Sequence, residues 1–165
     1  VVVEIPKGSR NKYEYDEHLG VFKLDRVLYS ALHYPGDYGF VPRTLYEDGD
    51  PLDALVMVTE PGFPGCVIVA RPIGLFRLLD RGEADDKVLA VPATDPLFAG
   101  YADLEDVPPH FLVEVAHFFQ VYKNLEGIGV EALGWEPAEA ARREVARTVR
   151  RYQEGTSLDG AAARA

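Results

Sequence analysis

The sequence predicts an α+β, strand-rich fold: a small closed or nearly closed barrel with two helices outside it. In the first half, short β-branched and aromatic runs are separated by turns containing Gly, Pro and Asp. In the second half, apolar residues recur at helical spacing. Many short strands followed by helices, without βα alternation, favour this architecture over a parallel sheet.

Residues 1–5 are a β-branched run ending at Pro6. Residues 12–15 and 21–28 read as strands, joined by 16–20, which has the composition of a hairpin loop. Residues 38–41 are a short strand bounded by Gly39 and Pro42, and 52–58 follow an acidic turn. Residues 66–79 form a long strand candidate, bent near Pro72 and Gly74, and 87–91 form the last. Phe111, Leu112, Val115, Phe118, Phe119, Tyr122 and Leu125 then share one helical stripe. Pro108 and Pro109 suit its first turn, and Gly127 its stop. A second helix is expected from Pro137 to near Gly155, with early acids (Glu136, Glu139) and late arginines (Arg147, Arg150, Arg151) that complement its dipole. Residues 156–165 are small and polar and expected to fray.

At 165 residues the chain fits one domain, taken as 1–155 plus the tail. Seventeen Lys+Arg against 27 Asp+Glu leave a net charge of −10. That disfavours nucleic acid or anionic lipid as partner, because both are bound through positive patches. A single cysteine, Cys66, excludes an internal disulfide framework. No apolar run approaches the ~20 residues of a membrane span, and no signal peptide is visible. The chain opens at Val1 rather than Met, which leaves room for a short preceding piece.

The acids are unevenly placed. Residues 47–53 hold Glu47, Asp48, Asp50 and Asp53 with no base, and residues 80–87 hold Asp80, Glu83, Asp85 and Asp86. Two solvated surface turns would explain them, since Asp and Gly favour turns. Crowding argues for more. Asp53 precedes the buried-looking run 54–58 and so points near the barrel interior. Two carboxylates ~4 Å apart repel by roughly 4 kcal/mol at an effective dielectric of 20, so such a cluster needs cations. All-oxygen ligands select hard ions such as Mg²⁺, Mn²⁺ or Ca²⁺. An EF-hand is excluded by spacing: with Asp48 first, Asp53 falls where Gly is needed and Thr59 where Glu is needed.

Groups suited to phosphate sit near element ends: Lys12, Arg26, Tyr34, Tyr38, Lys87, Tyr122 and Lys123. Each alone is ordinary. Together with two acid clusters they suit several divalent cations with a polyanion on top, the layout of metal-assisted phosphoryl transfer. The four histidines lack zinc spacing, and His117 beside an apolar stripe reads as packing or interface. There is no nucleophile elbow, dinucleotide fingerprint or Walker loop.

The segment Glu47-Asp48-Gly49-Asp50-Pro51-Leu52-Asp53 resembles the Asp-Gly-Asp-Pro-x-Asp signature of the family I soluble inorganic pyrophosphatases. Further blocks extend the likeness to about Tyr152. They are Val3-Glu4-Ile5-Pro6, Lys12-Tyr13-Glu14, Asp25-Arg26, Tyr34-Pro35 through Tyr38-Gly39, Asp80 through Lys87, His117-Phe118-Phe119, Tyr122-Lys123 and Gly134-Trp135.

The resemblance implies a five-stranded OB-like closed barrel with two flanking helices, and Mg²⁺-dependent hydrolysis of pyrophosphate to two phosphates. Several Mg²⁺ ions per site are implied, with Mn²⁺ or other divalent ions as substitutes. It implies Asp48, Asp53, Asp80 and Asp85 as metal ligands and Asp50 as general base. Lys12, Arg26, Tyr38, Lys87, Tyr122 and Lys123 would grip phosphate, with Glu4, Glu14 and Tyr34 supporting. The compact length resembles the prokaryotic form, which implies a cytoplasmic homohexamer. Arg81 departs from the pattern, because relatives often carry a second acid there.

An acidic protein must bind an anion of three to four charges through metals and local cations, not through net charge. Two other readings stay open on the residues: an OB-type module for oligonucleotides, and a divalent-metal binder without catalysis.

Overall fold

The computed structural model describes residues 1–162. Its elements run β1 (Val2–Ile5), β2 (Asn11–Asp16), β3 (Val21–Val27), β4 (Asp37–Phe40), β5 (Asp53–Val56), β6 (Ala70–Asp80), β7 (Glu83–Ala84), β8 (Lys87–Pro92), α1 (Pro109–Val121), β9 (Val130–Pro137) and α2 (Ala138–Ala162). The fold is thus strand-rich α+β with two helices, as the sequence predicts.

The main sheet follows the path β1-β4-β5-β8-β6, and β6 carries both β7 and β9. Only β5 and β8 pair in parallel. The hairpin of β2 and β3 forms a separate ladder. Between β1 and β4 the backbones approach closely at Gly39, where a Cβ would fall 1.9 Å from the carbonyl oxygen of Val2, so no larger residue fits.

The ladder among the described residues is not a closed barrel, which differs from the expectation. The far edge of β1 is met by residues 65–68, which lead into β6. The contact consists of Val3 N–H to Cys66 O, Ile68 N–H to Val1 O, the Val1 ammonium to Ile68 O, Gly65 N–H to Val3 O and the single bridge Val2↔Val67. Residues 66–69, expected as the start of the long strand, therefore touch β1 without building a ladder with it.

Period-2 alternation sorts the core to two faces. Leu55, Phe76, Leu89 and Val91 join Tyr34, Phe118 and Phe119 in a cluster on the α1 side. Ala54, Val56, Leu75, Val88 and Ala90 join Ala140 and Ala141 on the α2 side. Both faces are covered, so the central runs 54–56, 73–76 and 88–91 are apolar on both sides.

Two helix boundaries move and one strand is added. Helix α1 ends at Val121 with Tyr122 as its C-cap, and a separate 3-10 turn, Asn124–Glu126, precedes Gly127 at φ 73°. Leu125 and Lys123 therefore lie beyond the helix where the sequence placed them on it. Strand β9 was not anticipated. It pairs along β6 from Gly74↔Pro137 to Asp80↔Val130, with a register shift beside Gly134 (φ 115°), and that glycine hides the alternation. Helix α2 starts one residue after Pro137 and continues past Gly155 to Ala162, correcting the expected stop. Of the tail expected to fray, 163–165 lie outside the described residues.

Candidate active site

Strands β5 and β8 both begin at one rim of the sheet. Parallel register sets Asp53 beside Lys87, on the face shared with Leu55 and Leu89. Lys87 is buried, and its ammonium donates to Asp53 Oδ2 and Asp85 Oδ1. Burial would lower its pKa, but the two carboxylates outweigh burial and raise it, so the group stays charged. Tyr38 on β4 donates its hydroxyl to Asp53 Oδ2 at 2.6 Å. Its own pKa is pushed up, first by burial and then by Asp53.

The loop before β5 forms one wall. Asp48 Oδ1 accepts the Asp50 N–H at 3.0 Å, and Thr44 Oγ1 accepts the Leu52 N–H at 2.9 Å, so side chains hold the loop's shape. Burial raises the pKa of Asp50, with Asp53 next in weight. Asp48 also shifts upward, again chiefly by burial, against the opposing Asp50 N–H bond.

The end of β6 forms the opposite wall. Lys123 donates to Asp80 Oδ2, and its ammonium stands 5.2 Å from the Tyr122 ring centre. Tyr122 is buried and stacks on Phe118 at 5.1 Å. Asp80 Oδ1 is buried and, among the described residues, has no hydrogen-bond partner. Glu4 on β1 accepts the Tyr15 N–H at 2.9 Å, and burial pushes its pKa up to about 7. Lys12 binds Glu14 and lies 3.6 Å from Asp25.

These groups line one cleft of about 670 Å³. It gathers every predicted site residue except two. Arg26 points to Asp25 and Glu126 instead, with 2.9 Å to Glu126 Oε2. Tyr34 is buried behind the cleft, 5.3 Å from Tyr38 and 4.8 Å from Phe118 between ring centres. The structure thus places Tyr34 as a packing support and Arg26 at a neighbouring ion pair. The cleft also takes in Glu17, Tyr13 and Phe40, which the sequence did not mark as site residues, and Glu83, which it placed in the second acid cluster without a role. Glu83 follows the Arg81-Gly82 turn, which offered a signal; Glu17 at a hairpin tip offered none.

Among the described residues, no three acids stand close enough to hold a metal ion as placed. The lysine ammonium groups lie between them. The donor set nevertheless suits a hard divalent cation. Lys87 takes one oxygen each of Asp53 and Asp85, and Lys123 one of Asp80. The other oxygen of each is left for a further cation, and for Asp80 that oxygen is buried. An unsatisfied buried acceptor of this kind costs ~1–3 kcal/mol, more when charged. Carboxylates with open oxygens beside a row of cations define a site for a polyanion carried on hard metal ions.

Comparison with known proteins narrows this class. Residues 1–153 match the family model described as inorganic pyrophosphatase. The chain is 52% identical over 153 residues to an inorganic pyrophosphatase of a Nostoc species, covering 93% of this chain and 90% of that one. It is 54% identical over 154 residues to one from Methanosarcina acetivorans, covering 93% and 92%. The crystal structure of inorganic pyrophosphatase from Thermus thermophilus superposes with a TM-score of 0.90 at 48% identity, covering 92% of this chain and 89% of that one. The Helicobacter pylori structure gives 0.90 at 41% identity, covering 93% and 92%. The chain belongs to the inorganic pyrophosphatase family and is an enzyme of that family. Among the described residues, no helix is long and apolar enough to cross a membrane.

Proposed function

We propose that this enzyme hydrolyses inorganic pyrophosphate to two phosphates by direct attack of water, with divalent cations as cofactor and Asp50 as general base. The observation that supports it most is the cleft itself, where each acid bound by a lysine keeps one oxygen open. Asp48, Asp53, Asp80 and Asp85 would hold the ions, with Mg²⁺ the ordinary choice for an all-oxygen set. Bound there, the ions would neutralise substrate charge and acidify water.

The chain's own residues supply the rest. Asp50 lines the cleft, donates only its backbone N–H to Asp48, and has no cation on its side chain among the described residues. It is therefore free to take a proton from the attacking water. Lys12, Lys87 and Lys123 would neutralise the charge that grows on the leaving phosphate. The Tyr38 and Tyr122 hydroxyls would orient oxygens, and Glu4 and Glu14 would support through the groups they face. Arg26 would have to leave Asp25 and Glu126 to grip phosphate.

The five-stranded OB-like barrel belongs to the same reading, with β1, β4, β5, β8 and β6 as its strands and residues 65–68 as its seam. The homohexamer and the cytoplasmic location rest on likeness to the family. A phosphate-release assay on pyrophosphate with Mg²⁺ tests the activity. Release from pyrophosphate is expected; metal binding without release would leave a metal-binding protein in its place.

A further inference from the structure

We propose that Arg81 is a substrate-binding residue, a cation at the mouth of the cleft that holds the outer end of the bound phosphate chain. The proposal rests on the hydrolase reading above. The cleft lysines are all committed to acids: Lys12 to Glu14 and Asp25, Lys87 to Asp53 and Asp85, Lys123 to Asp80. Arg81 lines the same cleft and is exposed, and among the described residues its side chain makes no ion pair. An incoming anion meets there a cation that need not first release a carboxylate.

The backbone adds a second observation. Arg81 and Gly82 form the two-residue loop between β6 and β7, with Asp80 paired to Glu83. Both have positive φ, 53° and 85°. Hairpin loops of this kind favour Asn-Gly or Gly-Gly, because a long L side chain in the left-handed region is sterically disfavoured. Left-handed non-glycine residues occur at Arg43 and Arg81 among the described residues, and of the two only Arg81 lines the cleft, the kind of place where such strain clusters.

Position and chemistry then indicate the role. Asp53 and Lys87 open the strands at the cleft floor, whereas Arg81 stands at a turn tip beyond Asp80. A guanidinium presents a planar fork whose two parallel N–H bonds match two oxygens of one phosphate, a fixed geometry that an ammonium lacks. Pyrophosphate has no idle end, since one phosphate is attacked and the other leaves. A contact to outer oxygens that is already made in the bound substrate and carried unchanged into the transition state still appears in KM and not in kcat.

Arg81→Asn tests this, because Asn tolerates the left-handed turn and removes only the cation. We expect KM for Mg²⁺-pyrophosphate to rise roughly tenfold, the scale of one charged hydrogen bond. kcat should hold within twofold and the melting temperature should not fall. Arg81→Lys should recover part of the loss. A KM for Arg81→Asn within twofold of a working wild type overturns the proposal alone. A wild type that releases no phosphate overturns the hydrolase reading and this proposal with it.

Discussion

Two charged clusters sit on opposite sides of the residue 85–86 peptide. Asp85 faces the cleft, where Lys87 binds one of its oxygens. Asp86 is 3% exposed and turns the other way. Its Oδ2 accepts from Arg77 and from the Tyr46 hydroxyl at 2.7 Å, and its Oδ1 accepts the Leu78 N–H at 3.4 Å. Arg77 also reaches Glu136 at 3.3 Å, and Arg147 joins Glu144 to Glu47. Every oxygen of Asp86 is occupied, while Asp80 keeps a buried oxygen without a partner. The difference teaches that a count of acids does not mark a site. An acid with both oxygens bonded holds the fold, and an acid with one open oxygen can hold a ligand.

The contrast breaks most sharply at Asp86. Asp86→Ala removes one of the partners of Arg77, which keeps Glu136, and leaves the buried Tyr46 hydroxyl and Leu78 N–H without their acceptor. We expect a loss of up to about 3 kcal/mol in stability, the upper end for leaving a buried polar group unsatisfied, with kcat unchanged at temperatures where the variant is folded. Denaturant unfolding and a phosphate-release assay read the two quantities. A stable variant with damaged turnover would reverse the assignment of this cluster.

Asp50→Asn is the mirror case. Turnover should drop by about 10²-fold or more, equivalent to ~2.7 kcal/mol, with the melting temperature kept. Near-normal turnover would remove Asp50 from the role of base. Saturation with Mg²⁺ at 100 times its dissociation constant should stabilise the wild type by about 2.7 kcal/mol per independent site. Asp80→Asn should weaken that gain and Asp86→Asn should not. An equal gain in both would mean that the open oxygen of Asp80 plays no part.

How legible this was in the sequence differs between the two clusters. The chemistry of 47–53 is compressed into seven residues, so local order alone reveals Asp48, Asp50 and Asp53. The strands of the core are legible because both faces are apolar. Residues 80–87 present two neighbouring aspartates, and nothing local separates Asp85 from Asp86. Only the pairing of β6 with β8 and β9, together with Arg77 and Tyr46 from distant positions, sends them to opposite sides. Strand β9 stayed hidden behind Gly134. Lys123 shows the same limit: it reads as helical, yet the chain leaves α1 at Tyr122 before reaching it. The sheet's open ladder depends on how residues 65–68 meet β1, which no periodicity reports.

Lys123 sharpens the comparison at smaller scale. Its ammonium bonds Asp80 within the cleft, an arrangement a merely structural pair would share. Lys123→Ala should lower kcat/KM for pyrophosphate about tenfold, or ~1.4 kcal/mol, while stability changes little. Kinetics within twofold of wild type would place this lysine with Arg77, as a holder of acids only.

The smallest effect concerns an acid that is closed like Asp86 but lies at the surface. Asp16 in the β2–β3 hairpin accepts the Leu19 N–H at 3.0 Å on Oδ1 and Lys23 at 3.1 Å on Oδ2. Those two bonds, the Leu19 N–H first, lower its pKa below the usual aspartate value. Asp48 and Asp50 shift the opposite way, chiefly through burial. A depressed carboxyl stabilises the folded chain above its unfolded pKa, and that contribution fades as pH falls through the lower folded value. The hairpin should therefore loosen slightly only in acid, below about pH 4. Exposure to solvent keeps the effect small. Carboxyl titration by NMR in chelator-treated protein provides the check, with Asp16 expected to titrate below Asp48 and Asp50. If Asp16 titrates above them, occupied oxygens do not predict the direction of the shift, and the rule that separates the two clusters fails where it is easiest to measure.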